Sequence, residues 1–453
     1  MTTPLDPTIA DQALADLRTL LRFDTTNPPG NEGPAIEWIA QQLAKDGIES
    51  TIVTSDGRPN LIARLAGDGS AGGPLLLAGH VDVVPVDRAH WSQDPFAANL
   101  VDGYVYARGA IDMKYSVIMA MVAMQQAKRS GRTPNRDLIF AAVSDEEAGC
   151  THGSKFLVER HPGLVEADYM IGEFGGFSLD IGGVRYYPVQ VAEKGVCQMR
   201  MTAFGEPGHG SIPHRENAVV RLAEAIAKLG STRLPQKVVP VMEAFIRGLA
   251  AHQPAPAKHV LPLLLNPAMS GFVLSKVLPD PTVANSMASL LSNTVSPTML
   301  DAGTAKNVIP GAASAMLDGR LLPGQTKDDL LREVRAVIGP DLDLEIVTYR
   351  EGRSNEGFES DALYQAICDT IRRHDPSGVP VPYMVSGFTD AQQFGRLGMQ
   401  CYGYAPVRFP AEDDVKFAKL VHGHDERIHA EGFRWGVGCF VDLVHRFVGL
   451  ADG

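Results

Sequence analysis

The chain has 453 residues, of which 45% are hydrophobic and 21% charged, a balance typical of a globular protein with two or three domains. Its formal net charge of −12 argues against a nucleic-acid partner and against an anionic membrane surface, because both attract basic faces. The five cysteines are scattered without a CxxC spacing, which predicts reduced thiols in a cytoplasmic protein. The opening residues, MTTPLDPTIADQ, show neither the basic nor the apolar region of a signal peptide.

The first part of the chain alternates helix and strand patterns. ADQALADLRTLLRF and GPAIEWIAQQLAKDG place apolar residues at helical spacing, whereas NLIARLAG and PLLLAG have the composition of strands. A long apolar helix, MKYSVIMAMVAMQQAKRSG, precedes two more buried strands, DLIFAAVS and DYMIG. This order predicts an α/β domain built on a mixed, largely parallel sheet.

The pattern changes near Glu193, where VCQMRMTAF alternates apolar and polar residues as a half-buried strand does. A helix, a Pro-rich apolar region, the strand AASAMLDGRLL, a second helix and the strand DLEIVTY follow. This order indicates a small α+β domain of the ferredoxin-like type, inserted into the first. We therefore expect a catalytic domain of residues 1–191 and 350–453 and an inserted domain of residues 192–349.

Residues from about 252 to 298 fit the inserted domain awkwardly, because they are rich in Leu, Pro, Met and Ser. One interpretation is an extra apolar pair of helices packed on the insert. The other is an apolar wall over a substrate, and the two are compatible. Two prolines interrupt the most apolar stretch, VLPLLLNPAMSGFVL, which is too short to span a bilayer.

His80 and Asp82 follow directly from the strand PLLLAG. Residues two apart on a strand point to the same face, and the carboxyl end of a parallel strand borders the crevice where α/β proteins bind ligands. An isolated HxD pair is most often two ordinary polar residues at a strand end. The interpretation as a functional site therefore depends on polar residues at neighbouring strand ends.

Such residues follow the other predicted strands. Asp112 precedes the long helix, where alone it is an ordinary N-cap, and Glu173 follows DYMIG. Three consecutive acids, Asp145 to Glu147, directly follow the strand DLIFAAVS. They repel one another and need a compensating positive charge, which a divalent metal supplies. A solvated acidic loop is the alternative. His422 lies in VHGHDERIH, and mixed imidazole and carboxylate ligands suit zinc.

Ten stretches of the chain resemble the family of dinuclear zinc hydrolases that includes aminoacylase, carboxypeptidase G, carboxypeptidase S, acetylornithine deacetylase and succinyl-diaminopimelate desuccinylase. They are GHVDVVP, WSQDPF, GYVYARGAIDMK, SDEEAG, IGE, GEPGHGSIPHRENAV, KNVIPG, DGRLLPG, SGFTDA and HGHDE. Any one stretch is weakly specific, but ten in the family's order, between residues 80 and 426, are highly specific.

The resemblance implies the metal ligands and the base. Two zinc ions per chain, replaceable by cobalt or manganese, would be held by His80, Asp112, Glu147, Glu173 and His422. Asp112 would bridge the two ions, and the catalytic Asp82 would orient His80 through its other ring nitrogen. Glu146 would take a proton from the metal-bridging water, whose hydroxide attacks the amide, and would pass the proton to the leaving amine.

The resemblance also implies substrate-binding residues. The catalytic His209 in GHGS would reach across a dimer interface and stabilise the tetrahedral oxyanion. Arg320 in DGRLLPG would fork onto the free carboxylate of the substrate, and Asn307 would assist at the oxyanion or at that carboxylate. Gly387 and Thr389 in SGFTDA would line the site. Without the resemblance, His209 is a loop histidine and Arg320 a surface strand residue.

The chain departs from the family pattern at two places. The family usually has Gly after DMK, where this chain has Tyr115, whose ring either narrows the pocket or packs into the sheet. The Glu173 loop reads GEFGGFS where acetylornithine deacetylase and the desuccinylase have Glu-Pro-Thr, which argues against those two substrates. The apolar insert resembles the carboxypeptidase S-like branch most, and by analogy this favours apolar acyl groups or dipeptides.

We therefore expect a cytoplasmic, zinc-dependent homodimer that hydrolyses an amide next to a free carboxylate. Its small-molecule substrate would be an N-acyl amino acid, a dipeptide or a short peptide, and neither nucleic acid nor membrane is expected as a partner. Two alternatives stay open. One is an amidase specialised on a non-peptide amide, such as a carbamoyl compound or a xenobiotic, and the other is a non-catalytic binding protein on the same fold.

Overall fold

Helices and strands alternate through the N-terminal part of the computed structural model, which describes residues 5–278, 280–411 and 417–451. The helices of this part are α1 (Pro7–Leu20), α2 (Gly33–Ala44), α3 (Lys114–Arg129), α4 (Ser154–Arg160) and α5 (Pro162–Val165). Its strands are β1 (Ser50–Ser55), β2 (Arg58–Leu65), β3 (Leu75–His80), β4 (Asn99–Val101), β5 (Tyr104–Tyr106), β6 (Leu138–Val143), β7 (Tyr169–Gly172), β8 (Leu179–Ile181) and β9 (Val184–Glu193).

The middle of the chain has its own set of elements. Its strands are β10 (Gly195–Phe204), β11 (Gly208–His209), β12 (Thr294–Ala302), β13 (Val308–Ile309), β14 (Ala312–Leu321), β15 (Asp343–Arg350) and β16 (Arg353–Ser354). Its helices are α6 (Ala218–Ser231), α7 (Pro240–Ala251), α8 (Ala257–Val260), α9 (Pro267–Phe272), α10 (Pro281–Leu290) and α11 (Lys327–Ile338).

The C-terminal part returns to the α/β pattern. Its elements are α12 (Ala362–His374), β17 (Val379–Val385), α13 (Ala391–Phe394), β18 (Gln400–Gly403), α14 (Phe417–Leu420), β19 (Arg427–His429) and α15 (Ala430–Phe447). The chain divides into a first unit of Met1–Val191, Asn355–Val381 and Thr389–Gly453, and a second unit of Ala192–Ser354 and Pro382–Phe388.

The first unit is built on a mixed sheet with the strand order β1-β2-β6-β3-β7-β18-β9. The four central strands, β6, β3, β7 and β18, run parallel, while the pairs towards both edges are antiparallel. All residues of β3 and β6 are buried, as expected for apolar runs at the centre of a covered sheet. The predicted α/β class is thus confirmed, and the end of β3 places His80 at the middle of the sheet's carboxyl edge.

A small three-stranded sheet, β19-β5-β4, joins distant parts of the first unit. Strand β19 pairs antiparallel with β5, with Arg427 opposite Tyr106. The loop that precedes β19 therefore lies beside the loop that follows β5. These two loops carry His422 and Asp112.

The second unit contains an antiparallel sheet with the strand order β12-β14-β10-β15. With α6 and α11 this makes a βαββαβ arrangement, which confirms the ferredoxin-like insert. Apolar residues alternate along β10, and one face of the sheet packs on the two helices. This core includes Met199, Met201, Leu222, Leu317 and Val334.

The segment between α6 and β12 is mainly helical. It buries one set of apolar side chains, including Met242, Phe245 and Val273, and exposes another that includes Phe272, at 58% exposure. Among the described residues no single helix has both the length and the apolar character for crossing a membrane. One pair, Ala257–Leu265 and Pro267–Val277, meets those criteria together but is bent by 119°.

Candidate metal centre

The carboxylate of Asp112 lies between two imidazole rings. Its Oδ1 is 3.1 Å from Nε2 of His80, and its Oδ2 is 3.1 Å from Nε2 of His422. Asp112 and His80 are buried, whereas the His422 side chain is half exposed. A carboxylate that offers one oxygen to each of two histidines has the arrangement needed to bridge two cations.

Two further carboxylates complete a group of ligands on each side of Asp112. Glu173 Oε2 is 3.5 Å from His80 Nε2, and Glu147 Oε2 is 3.1 Å from His422 Nε2. The ligand atoms of His80, Asp112 and Glu173, the first ligand group, all lie within 4.8 Å of one another. The same holds for the second ligand group, Asp112, Glu147 and His422. The structure therefore brings together all five residues predicted as metal ligands.

Several buried oxygens in these groups have no hydrogen-bond partner among the described residues. They are Oε1 of Glu147 and both carboxylate oxygens of Glu173. Burial, followed by the negative charge of Asp112, raises the pKa of Glu147 and raises that of Glu173 well above its usual value. Buried, unpartnered acceptors beside imidazole nitrogens are the donor set that zinc-type cations prefer, so these residues fit a pair of divalent ions.

The ring of His80 is oriented by Asp82. Its Nδ1 lies 3.0 Å from the backbone oxygen of Asp82 and 3.5 Å from a carboxylate oxygen of the same residue. A nitrogen that faces two acceptors carries the proton, which leaves Nε2 free to act as the ligand atom.

The carboxylate of Asp82 also holds the backbone of the two following acids in place. Its Oδ1 accepts a hydrogen bond of 3.1 Å from the N–H of Glu146, and its Oδ2 accepts one of 3.1 Å from the N–H of Glu147. Burial alone would raise the pKa of Asp82, but hydrogen bonds from His80 and Asn27 bring it below the usual value. An ionised Asp82 thus presents both glutamates to the site.

Asp145 turns away from the two glutamates that follow it. Its backbone has a φ of +66°, a left-handed conformation that few non-glycine residues adopt. Its carboxylate accepts hydrogen bonds from Asn27 Nδ2 at 3.1 Å and the N–H of His152 at 2.9 Å, and pairs with Arg58 at 3.4 Å. The sequence hypothesis that a metal compensates the three acids does not extend to Asp145, which shares the guanidinium of Arg58 with Glu32.

Glu146 is buried at the edge of the first ligand group. Its Oε2 is 4.0 Å from Nε2 of His80. Burial raises the pKa of Glu146 well above its usual value; the charges of Glu173 and Asp390 add to this, while His80 opposes it. A carboxyl group with a raised pKa at this position can accept a proton and return it.

Glu426 anchors the loop that carries Asp112. Its carboxylate accepts hydrogen bonds from three backbone N–H groups of the 109–112 loop, including that of Asp112 at 3.0 Å. It also pairs with the buried guanidinium of Arg108 at 2.8 Å, and Arg108 in turn lies 3.5 Å from the backbone oxygen of His422. This buried pair therefore ties the Asp112 loop to the His422 loop.

His422 has a left-handed backbone, with a φ of +58°. Hydrogen bonds to the carboxylates of Asp112 and Glu147 raise the pKa of His422 to about 10, against the opposing effect of burial. Both features indicate a residue held in place by its surroundings, because a strained backbone persists only where other contacts fix it.

Most of the predicted substrate residues lie in the second unit. His209 and Asn307 are neighbours there, because β11 pairs with β13 and the N–H of Gly210 donates 2.8 Å to the carbonyl of Asn307. The exposed ring of His209 has Nδ1 2.8 Å from the hydroxyl of Ser211. The structure thus brings these two predicted residues together.

Arg320 lies on β14 of the second unit and pairs with Asp318 two residues earlier. Its Nε is 3.0 Å from Asp318 Oδ1, and its NH2 is 3.2 Å from Oδ2. Gly387 belongs to the second unit and Thr389 to the first, where the Thr389 hydroxyl accepts a hydrogen bond of 3.1 Å from the N–H of Ala391. The five residues predicted as metal ligands, Asp82 and Glu146 all belong to the first unit.

Three residues that support the site are not among the predicted site residues: Asn27, Arg58 and Glu426. Asn27 precedes two prolines in TTNPPG, a signal for a rigid loop but not for its contacts. Glu426 lies in HGHDE, a motif that indicates a histidine ligand but not a role for the glutamate. Arg58 lies in TSDGRPN, which has the composition of a turn and carries no functional signal.

Comparison with known proteins identifies a matching family. The family model described as "Peptidase family M20/M25/M40" matches residues 76–446 of the chain. The N-fatty-acyl-amino acid synthase/hydrolase PM20D1.1 of Danio rerio is 26% identical over 375 residues, which cover 80% of this chain and 70% of that protein. Aminoacylase-1 of Sus scrofa is 26% identical over 440 residues, covering 94% of this chain and 93% of that protein.

A solved structure shows the same fold. The M20 family metallo-carboxypeptidase Sso-CP2 from Sulfolobus solfataricus superimposes with a TM-score of 0.70 at 17% sequence identity. The match covers 97% of this chain and 100% of that chain, so the similarity extends through both units.

Proposed function

The chain belongs to peptidase family M20/M25/M40, and on that premise we propose that it hydrolyses an amide bond next to a free carboxylate. The substrate class is an N-acyl amino acid, a dipeptide or a short peptide. The names of the Danio rerio and Sus scrofa relatives, which refer to fatty-acyl amino acids and to acylated amino acids, support the first of these. The observation that carries the proposal is Asp112, with one carboxylate oxygen beside each of two histidines.

We assign two divalent ions to the ligands around Asp112. One ion belongs to His80, Asp112 and Glu173, and the other to Asp112, Glu147 and His422. Two such ions supply the Lewis acidity that polarises an amide carbonyl and activates water. Zinc is the proposed metal because nitrogen and carboxylate ligands suit it, with cobalt or manganese as substitutes.

Glu146 is the proposed general base. It accepts a proton from the attacking water and returns it to the leaving nitrogen. Its backbone N–H donates a hydrogen bond to Asp82, which fixes the position of its main chain beside the first ligand group. Its raised pKa suits a group that must hold the proton between two steps.

The substrate carboxylate is assigned to Arg320. A guanidinium presents a planar fork that matches a carboxylate, and Arg320 already pairs in this way with Asp318 two residues earlier on β14. His209 is assigned to the oxyanion. The remaining predicted residues, Asn307, Gly387 and Thr389, keep their assignment to the substrate site as part of this proposal.

A homodimer formed through the second unit is also proposed. Strand β12 is at the edge of its sheet, and Met299 and Leu300 on it are each 68% exposed. An exposed apolar edge strand is a template for pairing with a second chain. Sedimentation equilibrium tests this, because a Leu300→Lys variant should shift a dimer to monomer. A chain that is monomeric before the substitution contradicts it. The cytoplasmic location stays a prediction.

A hydrolysis screen tests the proposed activity. The zinc-loaded protein is offered N-acetyl, long-chain N-acyl and dipeptide substrates, each paired with a form whose carboxylate is amidated. Cleavage of the free acids with little cleavage of the amidated forms supports the proposal, and the best acyl group identifies the substrate class. Equal cleavage of both forms would show that Arg320 does not bind the substrate carboxylate. It would favour an amidase specialised on another amide.

A further inference from the structure

Tyr115 is a buried tyrosine whose hydroxyl contacts a distant segment of the chain. It lies in the first turn of α3, three residues after Asp112. Its ring is 1% exposed and packs inside the first unit. Its hydroxyl donates a hydrogen bond of 3.0 Å to the backbone oxygen of Ala405, 290 residues away in the sequence. Of the two interpretations of Tyr115, the structure favours packing within the fold.

Ala405 belongs to residues 403–407, a segment that begins with the last residue of β18. This segment runs beside residues 172–176, which follow the parallel neighbour β7 and carry Glu173. The N–H of Tyr404 donates 3.0 Å to the oxygen of Gly172, and the N–H of Ala405 donates 2.8 Å to the oxygen of Gly175. Hydrogen bonds thus join the two segments on both sides of Glu173.

The two segments are also in direct backbone contact. A Cβ atom at Gly175 would lie 2.0 Å from the oxygen of Gly403, and one at Gly403 would lie 2.1 Å from the oxygen of Glu173. Phe174 has a left-handed backbone, with a φ of +61°. No side chain fits at either position, so the two backbones approach this closely only because both residues are glycine.

We propose that Tyr115 is a positioning residue for the metal ligand Glu173. Its hydroxyl holds the 403–407 segment, which holds the backbone on both sides of Glu173, so that the carboxylate meets His80 and Asp112. Tyr115 and the GEFGGFS loop are thus linked through Ala405, which accepts from the one and donates to the other. The inference rests on the proposed function only in taking Glu173 as a metal ligand.

A Tyr115→Phe variant keeps the ring and removes the donor. Zinc titration of the metal-free protein, in competition with a chromogenic chelator, yields the two binding constants. We expect about tenfold weaker binding at the Glu173 site and an unchanged constant at the other. This is the lower end of the 10–100-fold cost of losing a direct outer contact to a ligand, because Tyr115 acts on Glu173 through the 403–407 segment. Hydrogen exchange of residues 172–176 and 403–407 should also quicken in the metal-free variant.

Tyr404→Phe is the matched control. Tyr404 is buried next to Ala405, but its hydroxyl has no hydrogen-bond partner among the described residues. This variant should keep both zinc constants within about twofold of the starting protein, since it removes a hydroxyl but no hydrogen bond to the segments around Glu173. Thermal unfolding of each variant shows whether the fold is retained.

The possible results separate this inference from the proposed function. Wild-type protein that binds no zinc overturns the proposed function and this role with it. Wild-type protein with two sites and an unchanged Tyr115→Phe variant overturns the role of Tyr115 alone. Equal weakening of both sites also overturns it, because a general loss of packing does not select the Glu173 site.

Discussion

The side-chain amide of Asn27 donates a hydrogen bond of 2.8 Å to the carboxylate of Asp82. The same nitrogen lies 3.1 Å from the carboxylate of Asp145. One loop residue thus lies between two buried carboxylates and donates a hydrogen bond to each. These two acids flank the backbone of Glu146 and Glu147. The geometry of the metal ligands depends on this neutral donor as well as on the ligands themselves.

Replacing Asn27 by Asp should damage the metal site. The variant has the same shape but adds a third carboxylate where a donor is needed, so Asp82 and Asp145 are pushed apart. We expect zinc affinity to fall by about 10–100-fold. Asn266→Asp is the control, because Asn266 caps α9 and Asp is an equally good N-cap. Equal zinc affinity in the Asn27→Asp variant and the wild type would contradict the role of Asn27.

Glu146→Gln should separate catalysis from metal binding. Glutamine cannot take up the proton, so kcat should fall by about 10²–10⁴-fold, the usual contribution of a general base. Both ions should remain bound, because the assigned ligand groups do not include Glu146. Glu147→Gln, in contrast, should lose metal. A Glu146→Gln variant with near-normal turnover would exclude this residue as the base.

Glu426→Gln should destabilise the first unit. The substitution leaves the buried Arg108 without its counter-charge, and breaking a buried pair in this way costs about 3–5 kcal/mol. Glu431→Gln is the control, because Glu431 is 73% exposed and pairs with Arg434, an interaction worth about 0–1 kcal/mol. Urea denaturation measures both. Similar losses for the two variants would show that the Glu426–Arg108 pair has no special role.

Asp442 should make stability depend on pH. Burial opposes its ionisation, but His374, Arg446 and Arg373 lower its pKa to about 2. A depressed pKa in the folded state adds stability above the unfolded value, near 4, and that stability is lost as pH falls through about 2. Asp442→Asn should therefore cost about 1–2 kcal/mol at pH 7 and progressively less between pH 4 and pH 2.

The control for this pH effect is Asp369→Asn. Asp369 pairs with Arg372 one turn later on α12, and both side chains are largely exposed. We expect little change in stability at any pH, because exposed pairs contribute about 0–1 kcal/mol. A cost of Asp442→Asn that is the same at pH 7 and at pH 2.5 would exclude ionisation of Asp442 as its cause.

Strand patterns were sufficient to predict part of the site. His80, Glu147 and Glu173 follow apolar runs that form β3, β6 and β7, and these strands lie next to one another in the sheet. Their polar ends meet for that reason. Asp112 and His422 come from loops, and no period in the sequence brings those loops together. The sequence marks both residues as candidates, but their roles as ligands, like those of the other three residues, rest on resemblance to a family.

The residues that support the ligands could not be predicted from local patterns. Arg58 and Asp145 are 87 residues apart, and Glu426 and Asp112 are 314 apart. Such pairs depend on how sheet and loops pack, and propensity or periodicity carries no information about them. The order of helices and strands, in contrast, is local information, and it was sufficient to predict both the α/β sheet and the ferredoxin-like insert.

The most direct test is the zinc content of the wild type and of Asp112→Asn, measured by equilibrium dialysis and atomic emission. A bridging Asp112 predicts two ions per wild-type chain. It also predicts at most one in the variant, because the amide nitrogen cannot replace the second carboxylate oxygen as a ligand. A wild-type chain that binds fewer than two ions, or a variant that keeps two with unchanged affinity, would contradict a metal pair centred on Asp112.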